Sequence, residues 1–362
     1  MDPMDAQPHA TNGRGGSESS GSSPIAILGA GSWGTALAYS LSAHGGHPVT
    51  LWARRTDHAE AIRAARRNER YLPEAVLPET VRVTADLGEA VRGAWLWVFA
   101  VPSQSVREVG EAVADALTGT ETVVSVAKGI ENETLYTTTA VLRDVLPGLD
   151  PGRIGVLYGP SHAEEVAAGQ PTSVVAAFPD REAAERVQET FMTGTLRVYV
   201  NADLIGVEIA GSVKNVMALA AGIGDGLGVG DNAKAALVTR GLAEIKRLGR
   251  ALGADPLTFS GLAGLGDLVV TCFSRHSRNR RFGEMIGQGR SVAEAEAAMT
   301  MVVEGVRTTA SVRELARRHG VEMPITEAIH AILFEGKAPR EAVSELMARD
   351  PKAEDWHHTA RA

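Results

Sequence analysis

The sequence predicts an α/β protein in which a doubly wound sheet is followed by an all-α domain. Three observations support this. Short, nearly continuous apolar runs alternate with helical segments from residue 24 to about residue 200. A glycine-rich turn follows the first of these runs, and after residue 201 only helical spacing continues. Alternating strands and helices are typical of a parallel sheet covered by helices on both faces.

The first half contains five apolar runs that are long enough for buried strands. Segments between them have the Ala-, Glu- and Arg-rich composition of helices, as in residues 35–43, 56–67 and 105–117. Continuous apolarity over four to seven residues is expected when both faces of a strand are covered. The predicted strands are residues 25–28, 49–52, 95–101, 123–126 and 154–158.

The second half shows apolar residues at helical spacing and no comparable strand. Gly-rich breaks are expected at residues 222–230 and 261–266. The predicted helices are residues 203–221, 233–252, 282–286, 292–299, 308–319 and 325–334. The predicted division is a flexible polar tail (1–23), a nucleotide-binding domain (24–202), a helical domain (203–348) and a polar tail (349–362).

Composition limits the classes of function. The net charge of −8 argues against general nucleic-acid binding, which needs an excess of Lys and Arg. No apolar run reaches the roughly 18 residues of a membrane span, and the polar start has no signal-peptide core. The single cysteine, Cys272, is expected to be a small core residue. We therefore expect a cytoplasmic protein that is not embedded in a membrane. We expect no metal, since His357 and His358 lack ligand spacing.

The most specific single motif is the glycine turn after the first predicted strand. Gly29 permits a tight turn, Gly31 allows the backbone to approach a pyrophosphate, and Gly34 allows close packing of helix and strand. The free N–H groups at the helix start favour an anion. This context predicts a Rossmann-type dinucleotide site rather than an empty strand-to-helix turn.

The end of the second predicted strand bears on the choice of dinucleotide. An NAD site usually has Asp or Glu here, whereas this chain has Arg54 and Arg55. Two arginines suit a 2′-phosphate, which favours NADPH over NADH without excluding NADH. The alternative is a pair of solvated loop charges.

Two lysines are candidates for proton transfer to a reduced carbonyl group. Lys128 ends a predicted strand, and Lys214 lies among small and apolar residues that could lower its pKa by desolvation. The alternatives are an exposed strand-end charge for Lys128 and an interdomain ion pair for Lys214. Asp267 could accept a hydrogen bond from the acid lysine or simply cap a helix.

Two polar segments precede predicted helices. Ser161 is a candidate N-cap, and the neighbouring His162 is expected to be structural. Residues 277–281 place a cationic run at a helix start, which opposes the helix dipole unless an anion binds there. Arg278 and Asn279 are therefore candidate phosphate contacts, with a solvated basic turn as the alternative.

Seven segments resemble bacterial NAD(P)-dependent glycerol-3-phosphate dehydrogenase, in the order of that family and over most of the chain. They are GAGSWGTALA, VAKGIE, YGPSHAEEVA, SVKNVMALAAGIGDGLGVGDNAKAAL, GLAGLGDLVVTC, SRNRRFG and VVEGVRT. The resemblance implies reversible reduction of dihydroxyacetone phosphate to glycerol 3-phosphate, which supplies glycerophospholipid synthesis. A homodimer is a further expectation.

The resemblance also implies roles for individual residues. Lys214 matches the proton acceptor of glycerol 3-phosphate oxidation. His162 stands where the family often has an aromatic residue. The implied substrate contacts are Lys128, Gly159, Ser161, Lys214, Asp267, Ser277, Arg278 and Asn279. The implied cofactor contacts, beyond the glycines, are Ser32, Trp33, Arg54, Arg55, Tyr71, Lys128, Ala163, Arg278, Val302 and Glu304.

Two other functions fit parts of the sequence. A β-hydroxyacid or ketopantoate reductase would share the two-domain plan, but a substrate without phosphate has little use for the basic segment SRNRR. A nucleotide sensor without chemistry would need only the cofactor half, and the pair Lys128 and Lys214 speaks against it.

Overall fold

A computed structural model describes residues 24–351. The predicted tail 1–23 lies outside the described residues, as does all but the first three residues of the predicted tail 349–362. Within the described range, strands end at Asn201 and every later element is helical.

The strands are short and mostly buried, as the apolar runs predict. The five predicted strands are all present, with the third one shortened at both ends. The strands are β1 (Ile25–Leu28), β2 (Val49–Trp52), β3 (Arg67–Asn68), β4 (Leu72–Val76), β5 (Val81–Thr84), β6 (Leu96–Phe99), β7 (Thr122–Ser125), β8 (Ile154–Tyr158), β9 (Thr172–Ala177) and β10 (Leu196–Asn201).

Helices cover the sheet and form the second half of the chain. They are α1 (Ser32–Ala43), α2 (Thr56–Ala65), α3 (Leu87–Val91), α4 (Val106–Val113), α5 (Thr138–Val145), α6 (Ala163–Ala167), α7 (Arg181–Phe191), α8 (Leu204–Leu227), α9 (Gly230–Ala251), α10 (Asp267–Phe273), α11 (Arg278–Gly287), α12 (Val292–Ala297), α13 (Glu304–Arg318), α14 (Pro324–Phe334) and α15 (Pro339–Met347).

Eight strands form one sheet in the order β10-β9-β8-β7-β6-β1-β2-β5. All neighbours are parallel except β8 and β9, which pair in antiparallel register from Val156–Ala177 to Tyr158–Val175. The sheet is thus parallel as expected apart from this one pair, whose second strand is not among the predicted strands. Between β8 and β9 the chain forms only the five-residue helix α6, and β9 returns antiparallel beside β8.

The break predicted at residues 222–230 is wrong in its first part and right in its last part. The helix α8 continues to Leu227, and the left-handed glycines in this range are Gly228 (φ 73°) and Gly230 (φ 81°). A Cβ on Gly222 would lie 1.9 Å from the carbonyl oxygen of Arg280, and one on Gly283 would lie 2.2 Å from that of Leu219. These glycines therefore serve the contact between the α8 and α11 backbones rather than a turn.

The second predicted break, at residues 261–266, is also wrong. Leu262–Gly266 forms a single π-helical turn that leads directly into α10. A Cβ on Gly264 would lie 2.2 Å from the carbonyl oxygen of Phe259, so this glycine also permits a close backbone approach.

Among residues 24–351, α8 is the one helix that is long and apolar enough to cross a membrane by length and composition. Its apolar window is 94% buried inside the protein, and a core helix meets the same criteria. The apolar content of α8 is thus accounted for by packing against the surrounding helices.

Replacing Gly222 with alanine should destabilise the protein strongly. Because the new methyl group meets backbone atoms of α11, no side-chain rotation can relieve the clash. We expect a loss of about 3 kcal/mol, at the upper end of typical overpacking costs. Thermal unfolding measures the effect. Gly224→Ala is the matched control, because its Cβ would meet only Val229 Cγ2 at 3.2 Å. Equal unfolding temperatures for the two variants would contradict this packing argument.

Candidate active site

A cleft of about 610 Å³ lies at the carboxyl ends of the central strands. Its walls come from the turn after β1, the end of β2 and the segment after β7 on one side. On the other side they come from α8, α10, the start of α11 and the segment before α13. Ligands of open α/β sheets bind outside the carboxyl ends of the strands. The cleft brings together residues from both halves of the chain.

The glycine turn has the geometry that a pyrophosphate needs. Gly29 has a φ of +126°, and a Cβ there would lie 2.6 Å from the carbonyl oxygen of Ala100. A Cβ on Gly34 would lie 2.0 Å from the carbonyl oxygen of Gly29, so α1 can begin this close to β1 only with glycine. Gly31 faces open space, and Ser32 begins α1. The turn therefore fits a dinucleotide.

The outer end of the cleft is basic and aromatic. Arg54 donates to Glu108 Oε1 at 3.0 Å, and Arg55 Nε lies 3.2 Å from Asp57 Oδ1. All four side chains are largely exposed, so these ion pairs contribute little and can be exchanged for a ligand. Tyr71 lines the same end of the cleft, as does Trp33 in the first turn of α1.

The centre of the cleft holds a carboxylate between two ammonium groups. Asp267 Oδ1 accepts from Lys214 Nζ at 2.5 Å, and Asp267 Oδ2 accepts from Lys128 Nζ at 2.7 Å. Lys128 also donates to the carbonyl oxygen of Gly159 at 3.0 Å. Asp267 is the first residue of α10 and not its N-cap. The structure therefore favours the interpretation of Asp267 as a hydrogen-bond acceptor for lysine over that of a helix cap. We call these three residues the Lys-Asp-Lys cluster.

Burial and charge act in opposite directions in this cluster. Burial lowers the pKa of Lys214 to about 8, and Lys128 adds to this effect while Asp267 opposes it. Burial alone would raise the pKa of Asp267, but Lys128 and Lys214 hold it below its ordinary value. Lys214 therefore gains and loses a proton near neutral pH while Asp267 stays charged.

Two residues that the sequence reasoning missed complete this centre. Thr271 Oγ1 accepts from Lys214 Nζ at 2.6 Å and donates to the carbonyl oxygen of Asp267. Asn215 Nδ2 donates to the carbonyl oxygen of Lys128 at 3.1 Å, which fixes the strand end against α8. Helical spacing could have found Thr271, which lies four residues after Asp267, but it gives no signal for Asn215, because residues directly adjacent in a helix do not share a face.

The start of α11 matches part of the predicted anion site. Ser277 caps the helix by accepting from the Arg280 backbone N–H at 3.2 Å. Asn279 Oδ1 accepts from the Gly305 N–H and its Nδ2 donates to Asn215 Oδ1, both at 2.9 Å. One hydrogen on Asn279 Nδ2 therefore remains available to a ligand in the cleft.

The cationic run itself is partly neutralised within the protein. Arg280 Nε lies 2.6 Å from Asp225 Oδ2, and Arg278 Nη1 donates to the carbonyl oxygen of Val302 at 2.9 Å. Among residues 24–351, Arg278 thus forms no ion pair with a carboxylate, whereas Arg280 does.

The segment after β8 differs from the prediction. Ser161 does not cap a helix; its Oγ donates to the carbonyl oxygen of Gly159 at 2.9 Å, and His162 occupies the N-cap position of α6. The reason is that α6 begins one residue later than the sequence suggests, at the buried Ala163. Ser161, His162 and Ala163 all line the cleft.

Glu304 joins the two halves of the chain at the inner end of the cleft. It begins α13 and accepts from both the N–H and the Oγ of Ser103, at 2.9 Å and 2.5 Å. Burial raises the pKa of Glu304, and the two bonds from Ser103 oppose that shift. Val302 lies at the rim and is half exposed.

Other features of the described residues do not form competing sites. A second hollow of about 850 Å³ is lined by Leu262, Leu265, Val269 and Phe273 among others, and none of its lining residues is charged. No group of three or more His, Cys, Asp or Glu side chains between residues 24 and 351 could hold a metal ion. Burial raises the pKa of Cys272 to about 12, so this thiol stays protonated.

A Rossmann-type sheet with a dinucleotide turn, joined to a helical domain that brings a buried lysine with a pKa near 8, defines a nicotinamide-dependent dehydrogenase. Sequence profiles identify the family. The profile for the NAD-dependent glycerol-3-phosphate dehydrogenase N-terminus matches residues 24–184, and the one for its C-terminus matches residues 203–344. The chain belongs to the NAD-dependent glycerol-3-phosphate dehydrogenase family.

Individual relatives agree with this assignment. A glycerol-3-phosphate dehydrogenase [NAD(P)+] from Salinibacter ruber is 59% identical over 335 residues, covering 92% of this chain and 97% of the relative. The crystal structure of glycerol-3-phosphate dehydrogenase from Coxiella burnetii is 42% identical with a TM-score of 0.87, covering 91% and 99%. A ketopantoate reductase from Ralstonia eutropha, 20% identical with a TM-score of 0.58 over 88% and 99%, shares the fold alone.

Proposed function

We propose that this enzyme reduces dihydroxyacetone phosphate to sn-glycerol 3-phosphate with NAD(P)H, reversibly, and so supplies glycerophospholipid synthesis. The Lys-Asp-Lys cluster carries the proposal. It places an ammonium group with a pKa of about 8 in the same cleft as the start of α11, whose free N–H groups suit an anion. A ketone with a phosphate two atoms away needs both groups at once.

The cofactor is assigned to the sheet side of the cleft. The residues that would hold its pyrophosphate are Gly29, Gly31, Ser32, Trp33 and Gly34, where the N–H groups at the start of α1 would attract the anion. Support comes from the open space at Gly31 and the close packing at Gly34. Arg54, Arg55 and Tyr71 would hold its ribose and adenine. The residues that would hold its nicotinamide end are Lys128, Ala163, Arg278, Val302 and Glu304.

The substrate is assigned to the space between the Lys-Asp-Lys cluster and α11. Its phosphate lies at the helix start, within reach of the Ser277, Arg278 and Asn279 side chains. Its carbonyl oxygen lies at Lys214, which has one N–H left after its bonds to Asp267 and Thr271. Gly159, Ser161 and Lys128 bound the carbon chain.

The reduction then follows from the protonation state of Lys214. When bound, the reduced nicotinamide supplies the hydride that the ketone carbon accepts. Lys214 donates its proton to the oxygen of that carbon, and Lys128 adds positive charge where the negative charge develops. Asp267 keeps both ammonium groups aimed at the oxygen. In the reverse direction, neutral Lys214 removes the hydroxyl proton of glycerol 3-phosphate.

A direct assay tests the proposed function. Oxidation of NADPH and NADH, followed by absorbance, is measured with dihydroxyacetone phosphate and with ketopantoate. We expect turnover with dihydroxyacetone phosphate and none with ketopantoate, because only the former presents a phosphate to α11. Turnover of ketopantoate alone would overturn the proposal.

Replacing Arg54 with alanine should reduce the preference for NADPH. We propose that the 2′-phosphate replaces Glu108 as the partner of this exposed guanidinium. The ratio of kcat/KM for NADPH to that for NADH should fall about tenfold. Arg181→Ala is the matched control, since it breaks a similar exposed Arg–Glu pair outside the cleft. A wild type that prefers NADH would contradict the argument.

Replacing Arg278 with alanine should weaken substrate binding. A charge-assisted contact to the phosphate is lost, so KM for dihydroxyacetone phosphate should rise at least tenfold. Arg281→Ala, an exposed arginine three residues further along α11, should leave KM unchanged. If KM does not change in Arg278→Ala, the phosphate is not bound at this helix start.

Three further expectations stay predictions. They are the domain boundary between residues 202 and 203, a homodimer, and a cytoplasmic location. Sedimentation of the purified protein tests the second, and cell fractionation tests the third.

A further inference from the structure

His162 lies in the cleft and takes no part in the proposed transfer of hydride and proton. It stands between Ser161 and Ala163, which are proposed substrate and cofactor contacts, and its side chain lines the cleft. Its ring centroid lies 5.7 Å from that of His276, which directly precedes the helix cap Ser277. The imidazole is therefore next to the helix start to which the substrate phosphate is assigned.

The two ring nitrogens of His162 have different surroundings. Nε2 is buried and has no hydrogen-bond partner among the described residues. Nδ1 also makes no hydrogen bond within residues 24–351, yet it is not one of the buried unpaired atoms. The ring thus reaches the cleft through its Nδ1 edge, while Nε2 points into the protein.

The charge of the ring follows from its neighbours. Burial lowers the pKa of His162 to about 4, with Lys214, His276 and Lys128 adding to this effect and Asp267 opposing it. The imidazole is therefore neutral at physiological pH and carries a single proton. Because a buried N–H without an acceptor is rarer than a buried acceptor without a donor, the proton belongs on Nδ1.

The cleft beside His162 is arranged for an anion. Lys128, Lys214 and Arg278 bring positive charge, and the N-terminal end of α11 adds its free N–H groups. A neutral N–H donor at this position adds a hydrogen bond to the anion and leaves the pKa of the proton-donating lysine undisturbed by a further positive charge.

We propose that His162 donates a hydrogen bond from Nδ1–H to a phosphate oxygen of the substrate and is a specificity-determining residue of this chain. The inference rests on the proposed function, which places that phosphate at Ser277, Arg278 and Asn279. Phenylalanine, an aromatic residue of similar shape, lacks this donor.

Three variants separate the hydrogen bond from the shape of the ring. In His162→Asn, the side-chain NH₂ takes the position of Nδ1 and keeps the donor. His162→Gln places its NH₂ at the position of Nε2, and His162→Phe has no donor at all. We expect KM for dihydroxyacetone phosphate to rise about tenfold in the Phe and Gln variants and less than about threefold in the Asn variant.

Two readouts identify the group that His162 contacts. The inhibition constant of inorganic phosphate should rise by the same factor as KM, because the lost bond goes to phosphate. The value of kcat should stay within about twofold, since binding to phosphate is equal in the ground state and the transition state. NADPH affinity and unfolding temperature, measured on the same variants, should match the wild type.

Other results would overturn the inference. An unchanged KM in His162→Phe shows that no bond to substrate is lost. A fall in kcat at constant KM assigns the ring to the reacting oxygen instead, and an Asn variant as impaired as Phe shows that only the ring shape matters. Failure of the proposed function looks different: Arg278→Ala would then leave both KM and the phosphate inhibition constant unchanged.

Discussion

Replacing Lys214 with alanine is expected to lower kcat for dihydroxyacetone phosphate reduction by about 10³-fold while NADPH still binds. The ammonium group is buried, bonded to Asp267 and Thr271, and has a pKa of about 8. A positioned acid of this kind contributes roughly 10²- to 10⁴-fold. Stopped-flow or steady-state NADPH oxidation measures the rate, and fluorescence titration measures NADPH binding.

The pH dependence of the wild type provides a second readout of the same group. Reduction needs protonated Lys214, so its rate should fall as the pH rises through about 8, and oxidation of glycerol 3-phosphate should rise over the same range. Lys246→Ala, which removes a partly exposed lysine of α9 that lies outside the cleft, is the control and should change neither rate. Undiminished turnover in Lys214→Ala would remove this residue from proton transfer.

Replacing Asp267 with asparagine should have the largest combined effect on activity and stability. The change leaves Lys128 and Lys214 without their shared carboxylate, and breaking a buried ion pair on one side costs about 3–5 kcal/mol. Asp267 raises the pKa of Lys214, so its removal should shift the pKa of Lys214 below 8. The alkaline decline of the reduction rate should therefore begin at a lower pH.

Thermal unfolding and a pH–rate profile measured on the same preparation check both parts. Asp231→Asn, in the exposed first turn of α9, is the control for loss of an acidic side chain. An alkaline limb that stays at the wild-type pH would show that Asp267 does not set the pKa of Lys214.

The glycine turn and the central strands of the cofactor half could be predicted because their determinants are local, whereas β3, β4, β5, β9 and β10 were not among the predicted strands. Gly29 has a positive φ and Gly34 packs against the backbone of Gly29 within one strand–turn–helix unit, and the strand they follow is a continuous apolar run. The antiparallel placement of β9 could not be predicted, because it depends on which strand β9 pairs with, a tertiary property.

In the candidate site, too, local features could be predicted from the sequence and tertiary contacts could not. Lys128 and Lys214 stand out in the sequence as lysines among small and apolar residues. For Asp267 the sequence leaves two interpretations open, a hydrogen-bond acceptor or a helix cap. That a single carboxylate holds both lysines depends on contacts across 139 and 53 residues of sequence. The glycines of α8 misled the prediction because glycine indicates a turn in isolation, whereas Gly222 meets the backbone of another helix.

The close packing of α8 on α11 has a consequence for the choice of substrate. Lys214 lies on α8 and Arg278 and Asn279 begin α11, and the glycine contacts leave no side chain between the two backbones that could yield. The distance from the acid to the phosphate-binding turn is therefore set by backbone geometry. The two helices therefore hold Lys214 and the start of α11 at a fixed separation. A phosphorylated ketone with one more carbon between carbonyl and phosphate could contact one of these two groups but not both at once.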